Sequence, residues 1–182
     1  VLSRGLGDVY KRQVHDYVMF STASSPISAM GSRNSPIPVQ VGSGIPTKIR
    51  DYVYCLPFND FDAVEQCLND HHGEIAALLV EPCLGNIVGI EPKDGFLQHL
   101  RNLCDKYNVV LIFDEVKTGF RLSNGGARET YEVIPDISTY AKSLGNGVPV
   151  AAFGGKSEVM NVIGGGSVAH AGTFGGLSLI HI

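Results

Sequence analysis

The stretch "DGFLQHLRNLCDKYNVVLIFDEV", residues 94–116, sets two hydrophobic periods end to end. Up to residue 108 the apolar positions Phe96, Leu97, Leu100, Leu103, Cys104 and Tyr107 recur at helical spacing, which predicts an amphipathic helix over 94–108. From residue 109 the apolar residues are consecutive, the pattern of a strand covered on both faces. The upstream run "EIAALLVEP" (74–82) repeats that pattern and also ends in an acid. Two such strands joined by an amphipathic helix make a βαβ unit, with parallel strands and a right-handed crossover. The reading is therefore an α/β fold, a mainly parallel sheet flanked by helices. Ligands of such sheets sit outside the carboxyl ends of the strands. Glu81 lies at the end of the first strand and Asp114 near the end of the second, so both carboxylates are expected on one rim.

Outward from this core the signals are more local. "YVYCLPFND" (52–60) is expected to contain a short strand, and Asn59 or Asp60 to cap a helix running to about His71, with Gly73 near its stop. His71 and His72 then sit at a helix C-terminus, where a protonated imidazole is electrostatically favoured. Residues 21–50, rich in Ser, Pro and Gly, read as a long surface loop. "VPVAAFGG" (148–155) is expected to hold a further short strand. Internal repeats and low-complexity tracts are absent from the sequence.

The 182 residues suffice for one domain with a real core. Their 44% hydrophobic and 18% charged content is that of a soluble globular protein. A net charge of -4 without any Lys/Arg stripe argues against a nucleic-acid partner. No apolar run reaches membrane-spanning length. The widely spaced Cys55, Cys67, Cys83 and Cys104 form no CxxC and read as free thiols in a reducing compartment, consistent with a cytoplasmic location. At the two ends, "VLSRGLGDVYKRQ" and "LSLIHI" lack the periodicity and turn logic of the rest. The expectation is that residues 1–13 are a non-native leader and 177–182 a non-native tail, with residues 14–176 the native segment of a longer chain.

Two residues stand out for chemistry. Asp114 follows a run of apolar strand residues, where a carboxylate is costly unless a cation meets it. Asp114 and Glu115 either cap the next loop or pair with Arg121, or Asp114 meets a protonated ring nitrogen; a metal is the weaker option, since no His lies between His99 and His170. Lys142, in "STYAKSLGNGVPVAAFGG" (138–155), has only uncharged neighbours, whereas Lys48, Lys93, Lys106, Lys117 and Lys156 lie in polar or mixed surroundings and read as solvated. Lys142 is either an exposed loop lysine or an amine whose burial would favour the neutral form needed for Schiff-base chemistry. Arg121 could hold a substrate carboxylate or pair with an acid. The glycine stretches at 144–149 and 164–176 match neither a Walker A nor a GxGxxG loop, which counts against a Rossmann-type nucleotide binder.

Taken together, "LLVEPCLGN", "GFLQHLRNLCDKYNVVLIFDEVKTGFR", "GGARETYEVIPDISTYAKSLGNGVPVAAFGGKSEVM" and "GTFGG" resemble, in that order, the class III, fold-type I pyridoxal-phosphate aminotransferases. "VEPCLGN" and "DEVKTGFRLSNGGA" point to the glutamate-1-semialdehyde 2,1-aminomutase branch. The resemblance covers residues 14–176 and includes the separation of Asp114 and Lys142. It implies part of the large cofactor domain, with pyridoxal 5'-phosphate as cofactor. Lys142 would form the Schiff base and move a proton between carbon atoms. Asp114 would pair with the pyridine nitrogen, Val116 would pack on one ring face, and Glu81 and Asn86 would lie near the phenolic edge. Thr173 would bind the cofactor phosphate of a neighbouring subunit, in a homodimer with shared sites. No metal is implied. The resemblance also marks departures. Lys11, Arg12 and Gln13 stand where the family has an aromatic stacking motif, and the upstream phosphate loop and the C-terminal small domain have no counterpart. An amino-acid-to-keto-acid aminotransferase and a non-catalytic truncated fragment are the alternatives.

Overall fold

A computed structural model describes residues 16–21, 25–33, 35–85, 87, 89–164 and 168. The chain forms two compact units, Val1–Ala63 and Val64–Ile182, where composition suggested one domain.

In the first unit the loop expected over 21–50 is tied by short-range structure. Strands β1 (Gly31–Ser32) and β2 (Ser35–Pro36) form an antiparallel turn. Phe20 bridges Gln40, the Ser21 N–H donates to Val39 O at 2.7 Å, and Phe20 and Ile45 are buried. The strand expected within 52–60 does not form. Thr47–Tyr52 is a 3-10 turn, and residues 53–60 pair with no strand among the described residues. Pro57 has no N–H to offer a ladder. Asp60 does cap the next helix: its Oδ1 accepts from the Ala63 N–H at 3.1 Å and its Oδ2 pairs with Arg33. That helix, α1, spans Phe61–Asp70 and buries Val64 and Leu68.

In the second unit, strand β3 (Ala77–Val80) leads through helix α2 (Phe96–Tyr107) to strand β4 (Val110–Asp114). β3 and β4 are parallel, with Val80 opposite Phe113, as expected of a βαβ unit. Helix α2 buries the expected face, Phe96, Leu97, Leu100, Leu103 and Cys104, and Arg101 with it. Asn108 ends the helix in the left-handed region (φ 55°), a conformation Asn tolerates. Helix α3 (Ala127–Thr130) then precedes strand β5 (Ile137–Tyr140), which the sequence reading missed. β5 lies parallel to β4; strand β6 (Ala152–Gly155) closes the sheet antiparallel to β5, and helix α4 (Ser157–Gly164) follows. The order is β3-β4-β5-β6.

β4 is the buried centre: Leu111 and Phe113 have no exposed surface. β3 departs from the expectation of two covered faces. It is an edge strand here, and Leu79 is half exposed. At the end of the sheet away from the carboxyl rim, Asp136 gathers three donors. Its Oδ2 accepts from Arg101 Nη1 at 2.8 Å and the Leu111 N–H at 2.7 Å, and its Oδ1 pairs with Lys156 Nζ at 2.7 Å. Lys156 is exposed, as expected, and its ammonium also serves the buried acid, which would be costly to leave unpaired.

Candidate active site

The sheet register brings the expected residues to one edge. Val80 faces Phe113, so Glu81 leaves β3 level with Asp114. Asp114 in turn faces Thr139 on β5, and Lys142 follows three residues later. Glu81, Asp114, Val116 and Lys142 thus all lie at the carboxyl ends of parallel strands. Asn86 and Thr173 fall outside the described residues, as do Lys11, Arg12 and Gln13.

Glu81 is half-buried, and its Oε2 accepts from the Gly85 N–H at 3.0 Å. Gly85 O accepts from Lys117 Nζ at 3.1 Å. A Cβ at position 85 would stand 2.7 Å from Lys117 Cδ, so the glycine is what lets the lysine stem cross. Lys117 is therefore half-buried and engaged, not solvated as expected.

Asp114 is half-buried. Its Oδ1 accepts from the Val116 N–H at 3.0 Å and, at the long limit of 3.5 Å, from the Thr139 hydroxyl. It does not pair with Arg121. Arg121 Nε instead donates to Ser143 Oγ at 2.7 Å.

The neighbouring acid, Glu115, is fully buried and takes the first of its two expected roles, holding the loop that follows. Its Oε2 accepts from the Ala127 N–H at 2.6 Å and from the Thr118 hydroxyl at 3.4 Å. Its Oε1 has no well-formed hydrogen bond. Burial pushes the Glu115 carboxyl above its usual value, and the hydrogen bond from Ala127 only partly offsets this. Gly126, at φ 66°, passes so close that a Cβ would lie 2.3 Å from Glu115 Oε2.

Lys142 begins a 3-10 turn (Lys142–Leu144) two residues beyond β5. Its backbone is left-handed (φ 44°), uncommon for a residue with a side chain, and its carbonyl accepts from the Gly145 and Asn146 N–H groups at 3.1 and 3.0 Å. The side chain is exposed, so the burial expected to favour its neutral form is not present. Asn146 is also left-handed (φ 42°), a conformation Asn tolerates.

Residues 44–180 match the family model described as aminotransferase class-III. The chain belongs to the class III aminotransferases. It is 43% identical over 163 residues to the glutamate-1-semialdehyde 2,1-aminomutase of Methanocaldococcus jannaschii, covering 89% of this chain and 36% of that protein. The Methanococcus maripaludis enzyme of the same name is 44% identical over the same shares. The chain thus spans about a third of the length of the curated relatives it matches. Among solved structures, an omega-transaminase from Sphaerobacter thermophilus superposes with a TM-score of 0.79 at 36% identity, covering 89% of this chain and 37% of that one. A structure described as a transaminase with PLP bound gives 0.77 at 25% identity, with the same coverage.

Proposed function

We propose that residues 14–176 form part of the cofactor-binding large domain of a pyridoxal-phosphate-dependent enzyme of amino group transfer. The reaction type is that of glutamate-1-semialdehyde 2,1-aminomutase, and the whole protein acts as a cytoplasmic homodimer serving tetrapyrrole synthesis. The observation that carries the chemistry is the parallel β4–β5 register. It puts a carboxylate and a primary amine on adjacent connections at the carboxyl rim.

These residues suit the cofactor. Pyridoxal phosphate supplies an aldehyde for amine exchange and an electron-withdrawing ring. Asp114, steadied by the Val116 N–H and the Thr139 hydroxyl, offers a charged acceptor for a protonated ring nitrogen. Val116 follows it as a half-buried apolar residue to pack on a ring face. Lys142 supplies the amine that attaches the cofactor and would then move a proton between carbon atoms. Glu81 and Asn86 serve the phenolic edge, and Thr173 the phosphate of the neighbouring subunit.

Incubation with pyridoxal phosphate, borohydride reduction and peptide mapping tests this reading. A visible absorbance band with the label on Lys142 is the expected result; a label confined to other lysines overturns it. Likeness to an omega-transaminase supports a second reading, transfer from an amino donor to a keto acid. Assays of a whole-length protein with glutamate 1-semialdehyde and with ordinary amino donors separate the two.

A further inference from the structure

The loop that leaves Asp114 touches the chain on both sides of Lys142. Gly119 is buried beneath Tyr140, and a Cβ there would stand 2.6 Å from the Tyr140 ring. Phe120 lies against the same ring, with centroids 5.5 Å apart. One residue further on, Arg121 Nε reaches Ser143 Oγ at 2.7 Å. Tyr140 precedes Lys142 by two residues and Ser143 follows it directly, so these contacts bracket the lysine.

The bracket has a firm base. The Gly119 N–H donates to Glu115 O at 2.9 Å, and the Arg121 and Leu122 N–H groups donate to Thr118 O at 3.0 and 3.2 Å. Thr118 and Glu115 are themselves buried. The bracket also grips strained backbone at both ends. Phe120 (φ 61°) and Lys142 (φ 44°) are both left-handed without being glycine. Such conformations persist where the surroundings over-determine them. Phe120 keeps half of its surface exposed while its ring rests on Tyr140.

We propose that Arg121 and Ser143 form a latch, seated on the Phe120–Tyr140 ring contact, that sets the turn bearing Lys142 from the loop following Asp114. Arg121 is then a positioning residue. It acts on the amine through Ser143, and one continuous segment sets both the acid and the lysine. This rests on the reading of Lys142 as the reactive amine. It also gives Arg121 a role other than the two offered by its sequence position.

The test compares the full chain with Ser143→Ala, Arg121→Gln and the conservative Ser143→Thr. Amide exchange of Gly145 and Asn146, whose N–H groups close the Lys142 turn, should quicken about three- to tenfold in the first two variants, as for loss of one exposed hydrogen bond. It should return towards wild type in Ser143→Thr, while exchange in β4 stays unchanged. The pyridoxal phosphate concentration that half-labels Lys142 after borohydride reduction should rise by a similar factor, with labelling of Lys106 unaltered. Wild-type exchange in both variants overturns the latch. Faster exchange with unchanged labelling of Lys142 overturns the positioning role. If the wild-type chain takes no label at Lys142, the proposed function falls, and exchange alone then decides whether the latch exists.

Discussion

Asp114 stands directly opposite Thr139 across the parallel β4–β5 pair, and the Thr139 hydroxyl reaches Asp114 Oδ1 at 3.5 Å. The Val116 N–H holds the same oxygen at 3.0 Å. A carboxylate gripped on one oxygen keeps its direction, so what it offers a ligand is charge in a set orientation. Asp114→Asn should keep the Val116 contact and lose the charge. Hydrogen bonds to charged groups contribute about 1.5–3 kcal/mol. We therefore expect pyridoxal phosphate binding, followed by its absorbance band, to weaken by about ten- to a hundredfold. The thermal unfolding midpoint should move little. Equal binding by the Asn variant would remove the assigned role.

Asp136 joins α2, the start of β4 and Lys156. Burial raises its pKa, but the hydrogen bonds from Lys156, Leu111 and Arg101 together outweigh burial and leave the carboxyl below its usual value. A carboxyl lowered in the folded state stabilises the fold above its unfolded pKa of about 3.9, and this is lost as pH falls through the folded value. Asp136→Asn removes the charge facing Arg101 Nη1 and Lys156, while Arg101 Nη2 keeps Asp105 at 2.6 Å, and should cost about 1.5–3 kcal/mol in urea unfolding at pH 7. The penalty should shrink below pH 4.

Glu115 has the opposite sign. Its carboxyl is raised by burial, so its contribution is complete below the unfolded pKa of about 4.3 and is lost as pH rises through the folded value. Glu115→Gln keeps an acceptor for the Ala127 N–H. Relative to wild type, the Gln variant should therefore gain stability between pH 4.5 and a pH above the raised folded value. Chemical denaturation at both pH values measures this; a stability difference that ignores pH would mean that the buried carboxyl does not titrate in this range.

The four cysteines are free, three of them half-buried and Cys104 buried on α2. Burial pushes the Cys104 thiol up to about 12, with Arg101 only partly opposing. A thiol-disulfide reagent at pH 8 should leave Cys104 unmodified in the folded protein and react with it within minutes once the chain is unfolded. Mapping the modified peptides reads the outcome directly.

The parts of the fold visible in sequence are those whose cause is local. The α2 face, the β4 run and the Asp60 cap each follow from a period or a side chain a few residues away. β5 was missed because Ile137–Tyr140 is four residues of mixed polarity, too short for alternation to register. The strand expected near Val53 failed for the converse reason: extended backbone becomes sheet only when another strand lies beside it.

By itself the sequence determined the βαβ unit, the family resemblance and the two residues, Asp114 and Lys142, to bet on. Only the tertiary structure decided what each of them touches. Arg121 turned to Ser143 instead of Asp114, and Asp136 drew on Arg101, 35 residues away. Such pairings are set by strand register and by the cost of burying unpaired charge, and neither leaves a signature in neighbouring residues. The exposure of Lys142 is likewise a property of the turn and its bracket, which uncharged neighbours in the sequence could not reveal.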